Sequence, residues 1–157
     1  MTSRALSLSF TLLAVVALSA CSAAAGSDEV SAGSGGSIEM AISETCPEGS
    51  ESQCVTVNGE SVVMPTAFER AGVVDSSVAD RGQNVLDVTF DNEGAKVLHA
   101  LTEEVAGAGE SSRLVLKIGG ELQAAVVVME PLTGDQVQIS LPPEDSAQKV
   151  VDRISGS

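Results

Sequence analysis

The sequence has no tryptophan and no tyrosine, and of its three phenylalanines Phe10 falls in the N-terminal apolar run. Only Phe68 and Phe90 are left for a folded part. An aromatic-centred core is excluded, and Val, Leu, Ile and Ala must supply the burial at about 25 cal/mol per Å² of apolar surface. Histidine occurs once, as His99. A Ser-His-Asp or Cys-His site needs a histidine held beside a nucleophile. His99 lies between Leu98 and Ala100 in a helical pattern, where it reads as a surface or boundary side chain. Cations are scarce, 8 Lys and Arg against 22 Asp and Glu, for a net charge of −14. They are scattered rather than clustered, which speaks against nucleic-acid binding and against electrostatic adsorption to an anionic leaflet. The acidic residues read as a solvated, mutually repelling surface.

Carboxylates are plentiful but unassembled. Glu103-Glu104 reads as a solvated helix face rather than a general acid–base pair. Asp91-Asn92-Glu93-Gly94 is too short for a calcium loop and serves better as a helix cap. Asp75–Asp80 offers at most weak divalent-ion binding, and no glycine loop has the spacing that cradles a phosphate. We expect no catalytic residues, no cofactor and no resident metal.

Four parts follow along the chain. Residues 1–20 carry one charge, Arg4, then an apolar run from Ala5 that is short for a membrane span of about 20 residues. It suits the h-region of a signal peptide. Leu18-Ser19-Ala20-Cys21 resembles the bacterial lipobox, in which the cysteine thiol takes a diacylglycerol and the leader is removed. An ordinary cleavable signal with a chance cysteine is the alternative. Acylation at Cys21 predicts firm anchoring to the cell membrane on the extracytoplasmic side, because each buried CH₂ contributes about 0.8 kcal/mol. Removal of residues 1–20 leaves 137 residues, one modest domain at most, at a net charge of −15.

Residues 21–37 hold the lipidated cysteine and the tract SAAAGSDEVSAGSGGS, too small and polar to fold and so predicted to be a flexible linker. Its end-to-end distance is roughly 20–25 Å. Residues 38–84 form an N-terminal extension with a first strand over Ile38–Ser43. Cys46 and Cys54 flank seven residues; in an exported chain they predict a disulfide, stabilising by roughly 2.5 kcal/mol on the loop-entropy model. A metal site, the alternative, would need histidine or further cysteine. Asn58-Gly59 predicts a hairpin turn within Val55–Met64, Pro65–Gly72 is read as a short helical turn carrying Phe68, and Asp75–Asn84 as a polar connector.

Residues 85–157 are the regular part. Leu86, Val88 and Phe90 alternate with Asp87 and Thr89, as in a half-buried strand. Asp91 caps a helix whose buried stripe is Leu98, Leu101, Val105 and Ala108, ended by Gly107 and Gly109. Leu114, Leu116 and Ile118 form a strand that turns at Gly119-Gly120. Leu122–Met129 is apolar on both faces and reads as a central strand. Val137, Ile139 and Leu141 alternate in another strand, and Pro142-Pro143 opens a helix buried through Ala147, Val150, Val151 and Ile154. The order β-α-β-β-β-α predicts an α+β fold, two helices on one face of a mostly antiparallel sheet, with a parallel first crossover and the disulfide-pinned extension at an edge.

The stretch VLDVTFDNEGA from Val85 to Ala95 resembles the strand and helix opening of the extracytoplasmic head subdomain of SecD and SecDF, the protein-export factors. The resemblance continues through Leu101-Thr102, Leu114–Val128, Leu132–Ile139 and the last helix with Ala147, about half of the chain after residue 20. The family often has Asp-Gly where this chain has Gly119-Gly120, a proline near Ala125 and a glycine at Asp135. It also has membrane helices that couple proton flow to export, and this chain has none of them. The resemblance therefore implies the head fold and contact with translocating polypeptide, without the motor. From the sequence we expect a membrane-anchored, non-catalytic binding module for exported polypeptides or envelope partners. The alternative is a carrier of a lipid or other small apolar molecule, since an aliphatic core could leave a cavity between helices and sheet. A hydrolytic enzyme finds no residues to support it.

Overall fold

The computed structural model describes residues 36–47, 53–80, 84–143 and 145–156. Eight strands and two helices follow in the order β1 (Ser37–Glu44), β2 (Cys54–Val57), β3 (Glu60–Val63), β4 (Glu69–Val78), β5 (Val85–Phe90), α1 (Asn92–Ala108), β6 (Ser112–Ile118), β7 (Glu121–Val126), β8 (Gln136–Ser140) and α2 (Ala147–Ser155). Six strands form one sheet in the order β7-β6-β1-β4-β5-β8, and β2-β3 is a separate hairpin. Every pairing among these strands is antiparallel. Both helices lie on one face of the sheet, so the α+β class expected from the pattern is what forms.

The alternating residues make the core as their periodicity requires. Ile38 and Met40 of β1, Leu86, Val88 and Phe90 of β5, Leu114, Leu116 and Ile118 of β6, and Ile139 of β8 meet Leu98, Leu101 and Val105 of α1 and Val150 and Ile154 of α2. Asp91 caps α1 through a 2.6 Å bond from the Gly94 N–H to its carboxylate. Gly109 ends the helix, while Gly107 lies inside its last turn and Ala108, expected in the buried stripe, is exposed. At α2 the N-cap is Ser146, so Pro142 and Pro143 precede the helix rather than open it.

Four expectations are corrected. The extension does not add strands at an edge: β1 and β4 lie between β5 and β6 in the middle of the sheet. The first crossover is not parallel. β5 ends with Phe90 opposite Val73, about where β1 begins, and β6 starts opposite Glu44 at the far end of β1. The helix α1 thus continues in the direction β5 was already running, and β6 returns antiparallel to β5. This works because the sheet is staggered. The first half of β4 pairs with β1 through Glu69–Gly72, the second half with β5 from Val73 onward, and a register shift between Val73 and Asp75 marks the join.

The stretch expected as a helical turn and polar connector supplies β4. It gives the core only Ala71 and Val73 as buried side chains, with Val78 partly buried against it. Residues such as Asp75, Ser76 and Ser77 have low strand propensity, which backbone pairing to a neighbouring strand overrides. Finally β7 is an edge strand, not a central one. It is apolar on both faces because the β2-β3 hairpin covers its back: Val57 and Val62 pack there on Val115 and Ala125. The hairpin turns at Asn58-Gly59 as expected, both in left-handed backbone, with Val55 opposite Val62.

Candidate binding surface

Cys21, the residue expected to carry the lipid, lies outside the described residues. Cys46 and Cys54 form a disulfide with Cα atoms 6.1 Å apart. It ties the end of the segment after β1 to the first residue of the hairpin, and the Cys46 N–H donates to Ser61 O at 2.9 Å. His99, Glu103 and Glu104 are exposed on α1, and Asp75 and Asp80 are exposed near the end of β4. Among the described residues there is no group of three His, Cys, Asp or Glu that could hold a metal ion. Nor is any helix among them long and apolar enough to cross a membrane.

What the structure brings forward is the segment from Val127 to Asp135. It connects β7 and β8, the two opposite edges of the sheet, and so has to pass the helix layer. It is held at three places. Val128 packs against the main core. The Asp135 carbonyl accepts the Phe90 N–H at 2.7 Å. Between them, the Leu132 N–H donates to Thr102 Oγ1 at 3.0 Å. Thr102 is fully buried on α1, and its hydroxyl donates to Leu98 O at 2.7 Å, with His99 O at 3.0 Å. One hydroxyl thus spends its proton on the helix and its lone pair on the strap.

With Val128 turned in, the neighbouring side chains turn out. Val126, Val127, Met129 and Leu132 are exposed, Met129 to 84%. Isolated exposed aliphatics are ordinary on a protein surface, but four within seven residues make a patch. The segment carries no cation and two anions, Glu130 and Asp135, with Glu103 exposed beside Thr102. An apolar strip with an acidic border can take side chains that are apolar or basic.

The strap also has a direction. β7 starts with Glu121 opposite Ile118 and reaches Val126 opposite Leu114. At about 3.4 Å per residue, Val126 lies roughly 17 Å along the sheet from the turn at Gly119-Gly120. The chain enters the domain near that turn, at Gly36 and Ser37. The apolar strip is therefore carried away from Gly36, where the described part of the chain begins.

Sequence reasoning missed this strip by running Val126–Met129 into a strand. The available signal was the break in alternation, three valines followed by methionine and then Glu130-Pro131. Thr102 gave no signal of its role. Replacing it with valine keeps the shape and removes the acceptor for the Leu132 N–H. We expect Thr102→Val to lose about 1–2 kcal/mol of stability. Amide exchange at Leu132 should rise more than at the core amides, and Thr102→Ser should restore its protection; unchanged exchange at Leu132 in the valine variant would show that the strap does not depend on this bond.

No family model matches the chain, and no curated protein matches it either. Among solved structures, it is similar to a chain of SecDF, a membrane component that enhances protein export, with 20% sequence identity and a TM-score of 0.48. The likeness covers 80% of this chain, which spans 64% of the length of that one.

Proposed function

We propose that the protein is a lipoprotein of the cell membrane, anchored through Cys21 on the extracytoplasmic side, whose domain is a non-catalytic binding module for polypeptides in export. The observation that carries this reading is the exposed strip Val126, Val127, Met129 and Leu132 on an acidic domain. A chain emerging unfolded from export displays apolar side chains that a folded protein would bury, and many carry lysine or arginine. Such a chain is complementary to the strip in both respects, while a net charge of −14 repels folded acidic proteins. The lipobox-like Leu18–Cys21 and the linker after it support the anchor. The sequence resemblance of Val85–Ile139 to the SecD head supports the export context.

The test is a photoactivatable residue at Met129 in living cells. Adducts should form with secretory precursors in transit and disappear when export is blocked. The same probe at Gln138, on the opposite edge strand, should give few. Changing Val127 and Leu132 to serine should lower the Met129 adduct yield by about a hundredfold, since each buried aliphatic side chain contributes roughly 1.5–3 kcal/mol and each 1.4 kcal/mol is tenfold. A folded, membrane-located protein that yields no precursor adducts from Met129 would refute the reading.

A further inference from the structure

Three of the cations scattered along the sequence come near one another in space. Arg70 of β4, Lys117 of β6 and Arg153 of α2 converge around the turn Gly119-Gly120. Arg70 and Lys117 lie opposite Glu39 of β1 from its two sides in the strand register. Arg70, Arg153 and Glu39, with Ser37, Gly156 and the turn glycines, line a surface cleft of about 430 Å³. The local charges are partly matched. Lys117 Nζ lies 3.0 Å from Glu39 and 4.2 Å from the centroid of the Phe68 ring. Arg153 pairs with Glu121 through one nitrogen of its guanidinium. Arg70 is exposed and has no hydrogen bond or ion pair with any described residue. Glu69, on the opposite face of β4 from Arg70, and Asp152, which accepts from Gln148 at 3.1 Å, are not among the residues that line the cleft. The charged side chains that line the cleft, Arg70, Arg153 and Glu39, sum to one positive charge on a chain of net charge −14.

The cleft is built, and it is built where the linker joins. A Cβ on Gly36 would overlap the Ile154 carbonyl, so the incoming chain is pressed against the last turn of α2. A Cβ on Gly119 would sit 3.0 Å from the Arg153 side chain, so the glycine lets that side chain lie across the turn. Gly120 has open space above it. The part of the domain nearest the linker is therefore also its cationic part. With a linker of roughly 20–25 Å, it is the part held closest to the leaflet.

We propose that this cleft takes the phosphodiester of one anionic phospholipid in the leaflet that holds the anchor. The proposal rests on the anchor reading of Cys21. The free guanidinium of Arg70 offers a fork of donors to phosphate oxygens, and Arg153 offers the nitrogens that Glu121 leaves unused. At physiological salt the screening length is about 8 Å, so a phosphate in the cleft responds to these cations more than to distant carboxylates. Binding there turns the domain so that Met129 and its neighbours face away from the membrane.

The experiment uses the full chain as isolated from cells. Its mass reads the acylation of Cys21 separately. The arginine Nε–H resonances are then followed while dihexanoylphosphatidylglycerol, dihexanoylphosphatidylcholine or inorganic phosphate is added. Arg70 and Arg153 should shift saturably with phosphatidylglycerol, and about tenfold less tightly with phosphatidylcholine, whose choline the guanidinium groups repel, or with inorganic phosphate, which has no glycerol hydroxyl to donate to the Glu39 carboxylate in the lining, the worth of roughly one charge-assisted hydrogen bond. Arg70→Gln should remove most of the affinity, and Glu121→Gln, by releasing Arg153, should raise it. An equal response to inorganic phosphate would overturn the lipid assignment in favour of a generic anion site. Phosphatidylglycerol shifts that survive Arg70→Gln would overturn the site itself. An unacylated Cys21 would remove the anchor reading, and the titration would still decide the cleft.

Discussion

A fragment of residues 85–157 will show no cooperative unfolding transition, although it contains the most regular patterning in the chain. β5 and β6 do not touch; β1 and β4 stand between them. Without these two strands the fragment keeps a β5-β8 pair and a β6-β7 hairpin, and isolated two-stranded pieces are marginal at best in water. It also loses Ile38, Met40, Ala71 and Val73 from the core, of which the first three are wholly buried. Burial of each large side chain contributes roughly 1.5–3 kcal/mol against a total stability of about 5–15 kcal/mol. α1 would suffer most, since it packs across β4 and β1 as well as β6. Circular dichroism of the fragment should lack a thermal midpoint and its amide spectrum should be undispersed, while residues 36–157 melt cooperatively. A cooperative transition in the shorter fragment would mean that β1 and β4 are accessories.

That expectation marks where the sequence was legible. Side-chain period reports which face of an element is buried, and it placed β5, β6, β8 and the stripe of α1 through Leu98, Leu101 and Val105 correctly, though not Ala108, which is exposed where the helix ends. Local chemistry also spoke clearly: Asp91 as a cap, Asn58-Gly59 and Gly119-Gly120 as turns, Cys46 with Cys54 as a pair. Period does not report neighbours. β4 is held by backbone bonds along its whole length, so it could be poor in apolar residues and still lie inside the sheet. β7 was apolar on both faces because a hairpin covers it, and a hairpin's cover leaves the same pattern as a central position. The binding surfaces were harder still. The middle of the strap is held by one hydroxyl–amide bond across 30 residues, between Thr102 and Leu132. The cationic cleft joins Arg70 to Arg153 through the end of α2 and the turn of β6-β7. Neither distance has a local signature.

Replacement of Gly94 by alanine is expected to destabilise the protein, against the ordinary effect of the same change in a helix. In the first turn of α1, helix propensity alone favours alanine by up to about 1 kcal/mol. Here the first turn is pressed onto the backbone of β4. The Asp91 N–H donates to Gly72 O at 3.0 Å, and a Cβ on Gly94 would overlap that same carbonyl oxygen and lie 2.9 Å from the Gly72 nitrogen. These are backbone atoms in the middle of the sheet, so they cannot move aside as the end of a side chain would. Lifting the helix instead would strain the 2.6 Å cap between Asp91 and the Gly94 N–H. Overpacking costs typically about 1–3 kcal/mol and a weakened cap about 1 kcal/mol, so a net loss of about 2–4 kcal/mol is expected. Gly107, on the same helix, supplies the control. Nothing lies within 4 Å of a Cβ there, and Gly107→Ala should gain about 0.5–1 kcal/mol. Denaturant midpoints of the two variants should move in opposite directions. If both rise, α1 does not approach β4 at Gly72 as closely as the structure has it, and propensity alone governs the helix.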